Sequence, residues 1–196
     1  MGERGLPDGW KCLSSRYLAR DPWHTVREES LELPDGRRIP RYYVWEYPEW
    51  VNIIARTEDG AFVMIRQYRH AAGETSFELP AGTCESSDAD LLAAARRELL
   101  EETGFGGGRW RHYMTLSANP ATHANRTHTF LAEGVSLLAP QSLDEGEMFS
   151  VHLMPPAEVA ELLQQGEILQ ALMDKFTFEG VENSWLKLCY YYDHLG

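Results

Sequence analysis

Three glutamates, Glu98, Glu101 and Glu102, are spaced so that one helix would bring their carboxylates together. Residues three and four apart share a face of an α-helix, and both spacings occur among these acids. Like charges in this arrangement repel each other by roughly a few tenths of a kcal/mol per pair. Mg²⁺ prefers oxygen ligands and combines one or two carboxylates with substrate phosphate oxygens. The spacing therefore indicates a site for a divalent cation and a phosphorylated substrate.

A simpler interpretation of these acids is a solvated helix face with an Arg97–Glu101 pair inside the helix. Two neighbouring features favour the metal site. The turn Pro80–Gly82 precedes the helix and could bring a bare backbone carbonyl close to the carboxylates. The segment also stops sharply at the letters ETGF, where Gly104 is typical of a helix C-terminus.

The run from Arg97 to Phe105, RELLEETGF, resembles the second half of the box that defines the Nudix hydrolases. Every constrained position of that half is present, from the Arg-Glu pair to the final Gly and bulky apolar residue. In the first half, Gly82 and Asp88 keep the spacing of the box but lie one residue early. This shift predicts an inserted residue in the loop before the helix, with Asp88 or Asp90 replacing the usual Glu.

The resemblance implies an α+β fold, an α/β/α sandwich around a mixed sheet. It implies hydrolysis of a nucleoside diphosphate linked to another group, with metal ions that polarise the pyrophosphate and activate the attacking water. By position, Glu98 and Glu102 are the principal metal ligands, and Glu101 shares or supports that role. The carbonyl of Ala81 is a further ligand, and Arg97 orients the carboxylates. Mg²⁺ is the expected cofactor, with Mn²⁺ as the alternative.

Segments outside the box resemble one branch of this family, the ADP-ribose and nucleoside-diphosphate-sugar pyrophosphatases. The segments are IRQYRH (Ile65–His70) and FELPAG (Phe77–Gly82), and Pro120 stands where that branch tends to have proline. The added motifs of the coenzyme A and NADH branches are absent from the sequence. The resemblance thus predicts a nucleotide-sugar substrate.

The same resemblance implies roles in substrate binding for four residues. Arg69 is expected to bind the phosphates, because a planar guanidinium matches phosphate oxygens, although an ordinary strand-end arginine is the alternative. Glu78 is expected to contact the terminal ribose or sugar. Trp23 loosely matches the aromatic residue that stacks on the base, and a core or interface tryptophan is its alternative. Arg126 lies in the segment Asn119–His128, which departs from the pattern of that branch, and is a candidate for binding phosphate or sugar. The two histidines of this segment lack a third ligand for zinc.

In this branch the general base lies on a loop just before a late strand, here LDEGEMFSVHLMP. Glu147 stands directly before that strand and is the expected base, and Glu145 is the second candidate. A carboxylate suits this role when a metal has already acidified the water. A solvated acidic loop is the alternative interpretation.

Two hairpins, a central helix and further strands would position these residues. The turns PDG and EDG each separate segments rich in strand-forming residues. Strong helix formers fill the chain from about Asp90 to Thr103, with Asp88 or Asp90 as the cap. Further strands are predicted at Arg109–Ser117, Arg126–Val135 and Met148–Pro155, and further helices at Pro156–Gly166 and Asn183–Leu195.

A boundary near residue 48 divides the chain into a β-rich N-terminal subdomain, residues 1–47, and a Nudix domain, residues 48–196. In the branch that the chain resembles, the small subdomain packs against a partner subunit. The resemblance therefore predicts a homodimer.

Net charge, apolar stretches and cysteine content limit the classes of partner and the cellular setting that we expect. The formal net charge is −12, and binding to nucleic acid depends on cationic residues that neutralise phosphates, so no nucleic acid is expected. No apolar stretch approaches the roughly 20 residues needed to cross a membrane, so no membrane partner is expected. Three cysteines, Cys12, Cys84 and Cys189, lie far apart and fit a reducing, cytoplasmic setting.

These features predict a metal-dependent pyrophosphatase that converts ADP-ribose or a related nucleotide sugar to a nucleoside monophosphate and a sugar phosphate. One alternative is a Nudix hydrolase of another nucleotide, such as a dinucleoside polyphosphate or an oxidised nucleotide. The other is a Nudix-fold sensor that binds a nucleotide without cleaving it. The complete set of box glutamates argues against the sensor, while the shifted first half keeps it open.

Overall fold

A computed structural model of the chain describes residues 9–21, 24–143 and 146–168. The chain divides into two compact units. The first unit comprises Met1–Pro48 and Ser117–Arg126, and the second comprises Glu49–Leu116 and Thr127–Gly196. In the described residues, no helix has the length and apolar character needed to span a bilayer.

The first unit is built on an antiparallel sheet. Its described strands are β1 (Lys11–Arg20), β2 (Thr25–Glu32) and β3 (Arg38–Glu46), in the order β1-β2-β3. Strands β2 and β3 form the hairpin predicted at the PDG turn, where Gly36 has a φ of 83° that favours glycine. The sequence does not predict β1, because that strand is exposed along nearly its whole length and has no alternating pattern.

The segment 117–126 pairs with β3 in this unit. The Trp45 N–H donates to the carbonyl of Thr122 at 2.8 Å, and the Ala124 N–H donates to the carbonyl of Trp45 at 2.9 Å. The rings of Trp45, Tyr47 and His123 lie nearly parallel, with centroids 5.5–6.4 Å apart. A segment distant in sequence therefore belongs to the first unit.

The second unit contains a mixed sheet of eight strands in the described residues, with the order β11-β5-β4-β10-β8. Strand β6 pairs with β5, β7 with β4 and β9 with β10. Strand β10 runs parallel to β4, and the other pairs are antiparallel. The strands are β4 (Trp50–Thr57), β5 (Phe62–Arg69), β6 (Glu74–Glu78), β7 (Ala81–Thr83), β8 (Phe105–Gly106), β9 (Arg109–Leu116), β10 (Thr127–Leu137) and β11 (Phe149–Met154).

Apolar clusters cover the two faces of this sheet, and each is associated with one helix. Helix α1 (Leu91–Thr103) buries Ala95 and Leu99 against one cluster, which includes Ile53 of β4. Helix α2 (Pro156–Gln165) buries Val159 in the other cluster, with the next strand residue, Ile54. Successive strand residues point to opposite faces, so the two helices lie on opposite sides of the sheet. The predicted mixed-sheet sandwich is confirmed.

Apart from β1, the long elements are where the sequence places them. Both hairpins, both helices in the described residues and the strands β9, β10 and β11 match the predicted segments within a few residues. The short strands β6, β7 and β8 are not predicted, because two to five residues carry too little periodicity. The predicted helix at Asn183–Leu195, and Cys189 within it, lie outside the described residues.

Candidate active site

Helix α1 carries the three box glutamates and has a defined start and stop. The Asp90 carboxylate accepts the Ala93 N–H at 2.8 Å and caps the first turn. Gly104 ends the helix with a φ of 76°, and a Cβ there would overlap the Ala139 carbonyl. Glycine is therefore required at this position by both conformation and space.

Arg97 joins the loop before α1 to the helix itself. Its guanidinium binds the Asp88 carboxylate through Nε and Nη2, both at 3.0 Å, and Nη2 also donates to the Thr83 carbonyl. This hydrogen-bonded pair lowers the pKa of Asp88. The two acids offered for the shifted box position are thus separated: Asp90 caps the helix, and Asp88 binds the arginine. The shifted loop still reaches Arg97.

Glu98 lies against the glycine turn. Its carboxylate occupies the space that a Cβ at Gly82 would take, so only glycine allows this approach. Burial raises the pKa of Glu98 to about 7; Arg97 opposes this shift, and the charges of Glu101 and Glu147 add to it. The turn and the helix therefore hold a carboxylate that is difficult to ionise.

Glu102 is more deeply buried, with an exposed fraction of 4%. Its Oε2 accepts the Ala81 N–H at 2.9 Å, so the turn contacts this acid through its amide. Burial raises the pKa of Glu102 to about 9; the Ala81 amide opposes the shift, and Glu98 and Glu147 reinforce it. A cation placed beside Glu98 and Glu102 would relieve both penalties.

Glu101 differs from its two neighbours. Its side chain is 44% exposed and its Oε2 accepts Arg97 Nη1 at 3.0 Å. The Arg97–Glu101 pair of the simpler interpretation is therefore present. The same Nη1 also donates to Glu98 Oε1 at 3.0 Å. The pair accounts for the exposed Glu101, but a solvated helix face does not account for the burial of Glu98 and Glu102.

Arg69 and Glu78 bind each other on the same side of the sheet as α1. Arg69 Nε donates to Glu78 Oε1 at 2.9 Å, and Arg69 Nη2 donates to Oε2 at 2.6 Å. Glu78 is 2% exposed and also accepts the Ser76 hydroxyl at 3.0 Å. The Glu78 hydrogen bond raises the pKa of Arg69, with smaller contributions from the charges of Glu102 and Glu147. Ser76 was not singled out from the sequence, because a lone strand serine carries no signal.

Glu147 lies two residues before the start of β11 and is partly buried. Its charge acts on the pKa of Glu98, Glu102 and Arg69, so it lies within electrostatic reach of all three. The structure thus gathers Glu98, Glu102, Arg69 and Glu147, which come from a helix, a strand and a loop. Glu145 lies outside the described residues.

The roles of two other residues, Trp23 and Arg126, stay predictions. Trp23 lies outside the described residues. Arg126 is exposed and belongs to the first unit, with the segment that pairs with β3. His128, considered for zinc, binds Glu49 Oε2 through Nε2 at 2.8 Å and Thr115 through Nδ1 at 3.0 Å. Both its ring nitrogens are engaged within the sheet.

The donor set of α1 suits a hard divalent cation, although its side chains are not arranged around one. Within the described ranges, no three His, Cys, Asp or Glu side chains converge as ligands of a single ion. Glu101 is turned to Arg97 and Glu102 to the Ala81 amide. Carboxylate oxygens are nevertheless the ligands that Mg²⁺ prefers, and buried carboxylates with raised pKa values are stabilised by a nearby positive charge.

Comparison with known proteins gives matches along most of the chain. Residues 47–176 match the NUDIX domain, and residues 10–45 match the nucleoside diphosphate sugar hydrolase N-terminal domain. The ADP-ribose pyrophosphatase of Bacillus subtilis (strain 168) is 31% identical over 144 residues, 73% of this chain and 77% of that protein. The ADP compounds hydrolase of Escherichia coli (strain K12) is 30% identical over 182 residues, 89% of this chain and 92% of that protein. A crystal structure of an ADP compounds hydrolase superposes with a TM-score of 0.68 at 25% identity, covering 79% of this chain and 83% of the other.

With its mixed-sheet sandwich and its glutamate helix, the chain belongs to the Nudix family. Within that family it is a pyrophosphatase, and the resemblance to the ADP-ribose and nucleoside-diphosphate-sugar branch is confirmed. Nudix hydrolases generally use divalent metal ions. The alternative of a sensor that does not cleave its ligand is not supported.

Proposed function

We propose that this chain hydrolyses the pyrophosphate bond of ADP-ribose or a related nucleoside diphosphate sugar, with Mg²⁺ or Mn²⁺. The products are a nucleoside monophosphate and a sugar phosphate. The observation that carries the proposal is the pair of buried carboxylates, Glu98 and Glu102, held against the Pro80–Gly82 turn with raised pKa values. The choice of substrate is supported by the names of the two relatives, an ADP-ribose pyrophosphatase and an ADP compounds hydrolase.

Glu98 and Glu102 would hold the metal, with Glu101 supporting and the Ala81 carbonyl as a further oxygen donor. When bound there, a divalent ion polarises the pyrophosphate and stabilises the negative charge that develops during hydrolysis. Arg97 contributes by orienting the helix face, because its guanidinium reaches Glu98, Glu101 and Asp88 at once. The arginine therefore fixes the directions in which these acids point.

Arg69 would grip the phosphates of the substrate, because it lies on the α1 side of the sheet within reach of the charges of Glu102 and Glu147. Glu147 would act as the general base. It takes a proton from the attacking water as the oxygen bonds to one phosphorus and the bridging oxygen leaves with the other. Its partly buried position beside Glu98 and Glu102 supports this role.

The base and the sugar are expected to be recognised by residues outside this group. Trp23 remains our candidate for stacking on the base, and Arg126 for a contact with phosphate or sugar. Both assignments come from the family resemblance.

We also propose a homodimer formed through the first unit. Five large apolar side chains of this unit are exposed, namely Trp10, Leu13, Tyr17, Leu18 and Tyr43, and exposed apolar surface supports an interaction site. Light scattering after gel filtration is expected to give twice the 22.4 kDa chain mass, and the double variant Leu13→Lys with Leu18→Lys is expected to give a monomer. A monomeric wild-type protein would exclude this assembly.

The experiment that tests the function is release of AMP from ADP-ribose, with and without Mg²⁺. A panel of UDP-, GDP- and CDP-sugars and dinucleoside polyphosphates is run beside it. We expect turnover of ADP-ribose that EDTA abolishes. Faster turnover of another member of the panel would keep the chemistry and replace the substrate, and failure with every member would reject the proposal.

Two variants identify the general base. Glu147→Gln is expected to lower kcat by about 10²–10⁴-fold with little change in KM, since general base catalysis contributes that much. Glu145→Gln is the matched variant, because it changes a second acid of the same loop. A larger loss from Glu145→Gln would assign the base to Glu145 instead.

A further inference from the structure

Glu78 is one of the most buried charged residues of the second unit and is fully engaged. It accepts both Nε and Nη2 of Arg69, at 2.9 and 2.6 Å, and the Ser76 hydroxyl at 3.0 Å. Glu78 and Ser76 are each only 2% exposed. A carboxylate that contacts a sugar hydroxyl needs an accessible oxygen, and this one is enclosed by its own partners.

Arg69, by contrast, is only half enclosed. Its side chain is 39% exposed, whereas the side chain of Glu78 is 3% exposed. Glu78 uses Nε and Nη2, and Nη1 makes no hydrogen bond within the described ranges. A bidentate pair holds the plane of a guanidinium in one orientation. The remaining edge of Arg69 is therefore held at a defined angle.

The strand geometry places the Arg69 side chain on the face of the sheet that helix α1 covers. Val63 of β5 packs in the apolar cluster beneath α1, and Arg69 follows it by an even number of residues, so both side chains lie on that face. Glu78 pairs with Ile65 and Ser76 pairs with Gln67, which are on the same face of β5. The charges of Glu102 and Glu147 both act on Arg69.

We infer that Glu78, supported by Ser76, is a positioning residue that holds Arg69 for the pyrophosphate, and is not a contact to the sugar. This inference rests on the proposed function of Arg69. It replaces the sugar contact that the family resemblance implies for Glu78. Ser76 takes part because its hydroxyl bond helps to hold Glu78 Oε1, which in turn accepts from Arg69 Nε.

A double-mutant cycle on kcat/KM for ADP-ribose tests this chain of contacts. Glu78→Gln is expected to lower kcat/KM by about 10–100-fold, as is typical when an outer partner that orients a site residue is lost. Arg69→Ala is expected to cost at least as much. The double variant should be no slower than Arg69→Ala alone, because Glu78 acts only through Arg69. Losses that multiply would overturn the inference.

A second readout separates positioning from a sugar contact. Loss of a positioning residue lowers the activity with ADP-ribose and with other nucleotide sugars by the same factor. Loss of a sugar contact changes the ratio of kcat/KM between two sugars on the same nucleotide. We expect an unchanged ratio between ADP-ribose and ADP-glucose in Glu78→Gln, and a shifted ratio would overturn the inference.

Controls keep the result independent of folding and of the substrate assignment. Glu74→Gln changes an exposed acid that pairs with Arg69 in the backbone register of the same strand, and it should leave kcat/KM unchanged. If Glu78→Gln does not fold, the cycle is run with Ser76→Ala, which should show a smaller loss that also disappears in the Arg69→Ala background.

The same cycle is measured for binding of inorganic pyrophosphate by titration calorimetry with Mg²⁺. If the wild type hydrolyses no nucleotide sugar but binds pyrophosphate, the proposed function fails while the cycle still decides the role of Glu78. If the wild type turns over ADP-ribose but the losses of the two single variants multiply in the double variant, the inference about Glu78 is rejected and the proposed function stands. A wild type that neither hydrolyses nor binds would reject both.

Discussion

Two pairs of residues on the same side of the sheet, Arg69–Glu78 and Glu98–Glu102, contain buried carboxylates with different partners. Glu78 is 2% exposed and has a bidentate arginine, whereas Glu102 is 4% exposed and is hydrogen-bonded to a neutral amide. Burial also raises the pKa of Glu98, and the charge of Glu98 adds to the rise in the pKa of Glu102. Burial is similar in the two regions, so the difference lies in the partner.

The comparison shows which buried acid has a counter-charge within the fold and which would be stabilised by a bound cation. The Arg69–Glu78 pair has its counter-charge within the fold, so its cost of desolvation is offset by two strong hydrogen bonds. Glu102 has only the Ala81 amide, and Glu98 shares one nitrogen of Arg97 with Glu101. Burial outweighs these partners and raises the pKa of both acids, so their negative forms are under-compensated. A fold keeps such a penalty at a functional site more readily than elsewhere, so the carboxylates of α1 are the better candidates for binding a metal.

The largest expected effect comes from replacing Glu102, the more deeply buried of the two proposed metal ligands. Glu102→Gln keeps the shape of the side chain and should lower kcat by about 10³-fold, the size of the loss when one strong electrostatic group leaves an active site. Glu101→Gln should lose less, because Glu101 is half exposed and already binds Arg97. Steady-state kinetics with Mg²⁺ measure both. Equal activity of Glu102→Gln and the wild type would place the metal elsewhere.

A second change moves a carboxylate without removing it. Gly82→Ala puts a Cβ in the space of the Glu98 carboxylate, so the acid must shift. A displacement of about 1 Å in a catalytic constellation can cost about 10²-fold in rate, and we expect a kcat loss of that size. Gly9→Ala, which adds a Cβ in open space, is the control. Full activity of Gly82→Ala would show that the turn does not position Glu98.

The third prediction concerns stability, where the two regions should respond with opposite signs. Glu78→Gln breaks the pair with Arg69 and should lower the free energy of unfolding by about 1.5–3 kcal/mol, the range for hydrogen bonds to charged groups. Glu102→Gln removes a carboxyl whose pKa burial raises to about 9, and with it the cost of protonating that group on folding, so the metal-free protein should be equally stable or more stable. Urea unfolding in EDTA measures both. Equal destabilisation by the two variants would remove the distinction between them.

The smallest effect is a pH dependence of the metal-free protein. An acid whose folded-state pKa is raised above its ordinary 4.5 binds its proton more tightly when folded, so stability falls as pH rises through that range. For Glu98 and Glu102, the fall should extend from about pH 5 towards pH 9. Thermal unfolding in EDTA should give a decreasing Tm, and saturating Mg²⁺ should reduce the slope. A metal-free Tm that rises over this range would contradict the assignment.

Long periodic segments and specific motifs were sufficient for much of this molecule. The helix from Leu91 to Thr103 consists mostly of strong helix formers, with Asp90 as its N-cap and Gly104 at its end. The box glutamates lie on it at helical spacing. The hairpin turns are equally local. Strand β1 and the short strands β6 and β7 were missed, because their stability depends on neighbours that the sequence does not place beside them.

The sequence alone determined that three acids share one helix face, and that Gly104 ends that helix, because both statements depend on local geometry. The requirement for glycine at position 82 was decided by the tertiary structure, which brings the Glu98 carboxylate against it. Only the tertiary structure decided that Glu98 and Glu102 are buried while Glu101 is turned to Arg97. It also joined Arg69 to Glu78 and brought Glu147 within reach of both regions. Burial and charge pairing depend on which distant strands and loops pack together, and that information is not contained in any single segment.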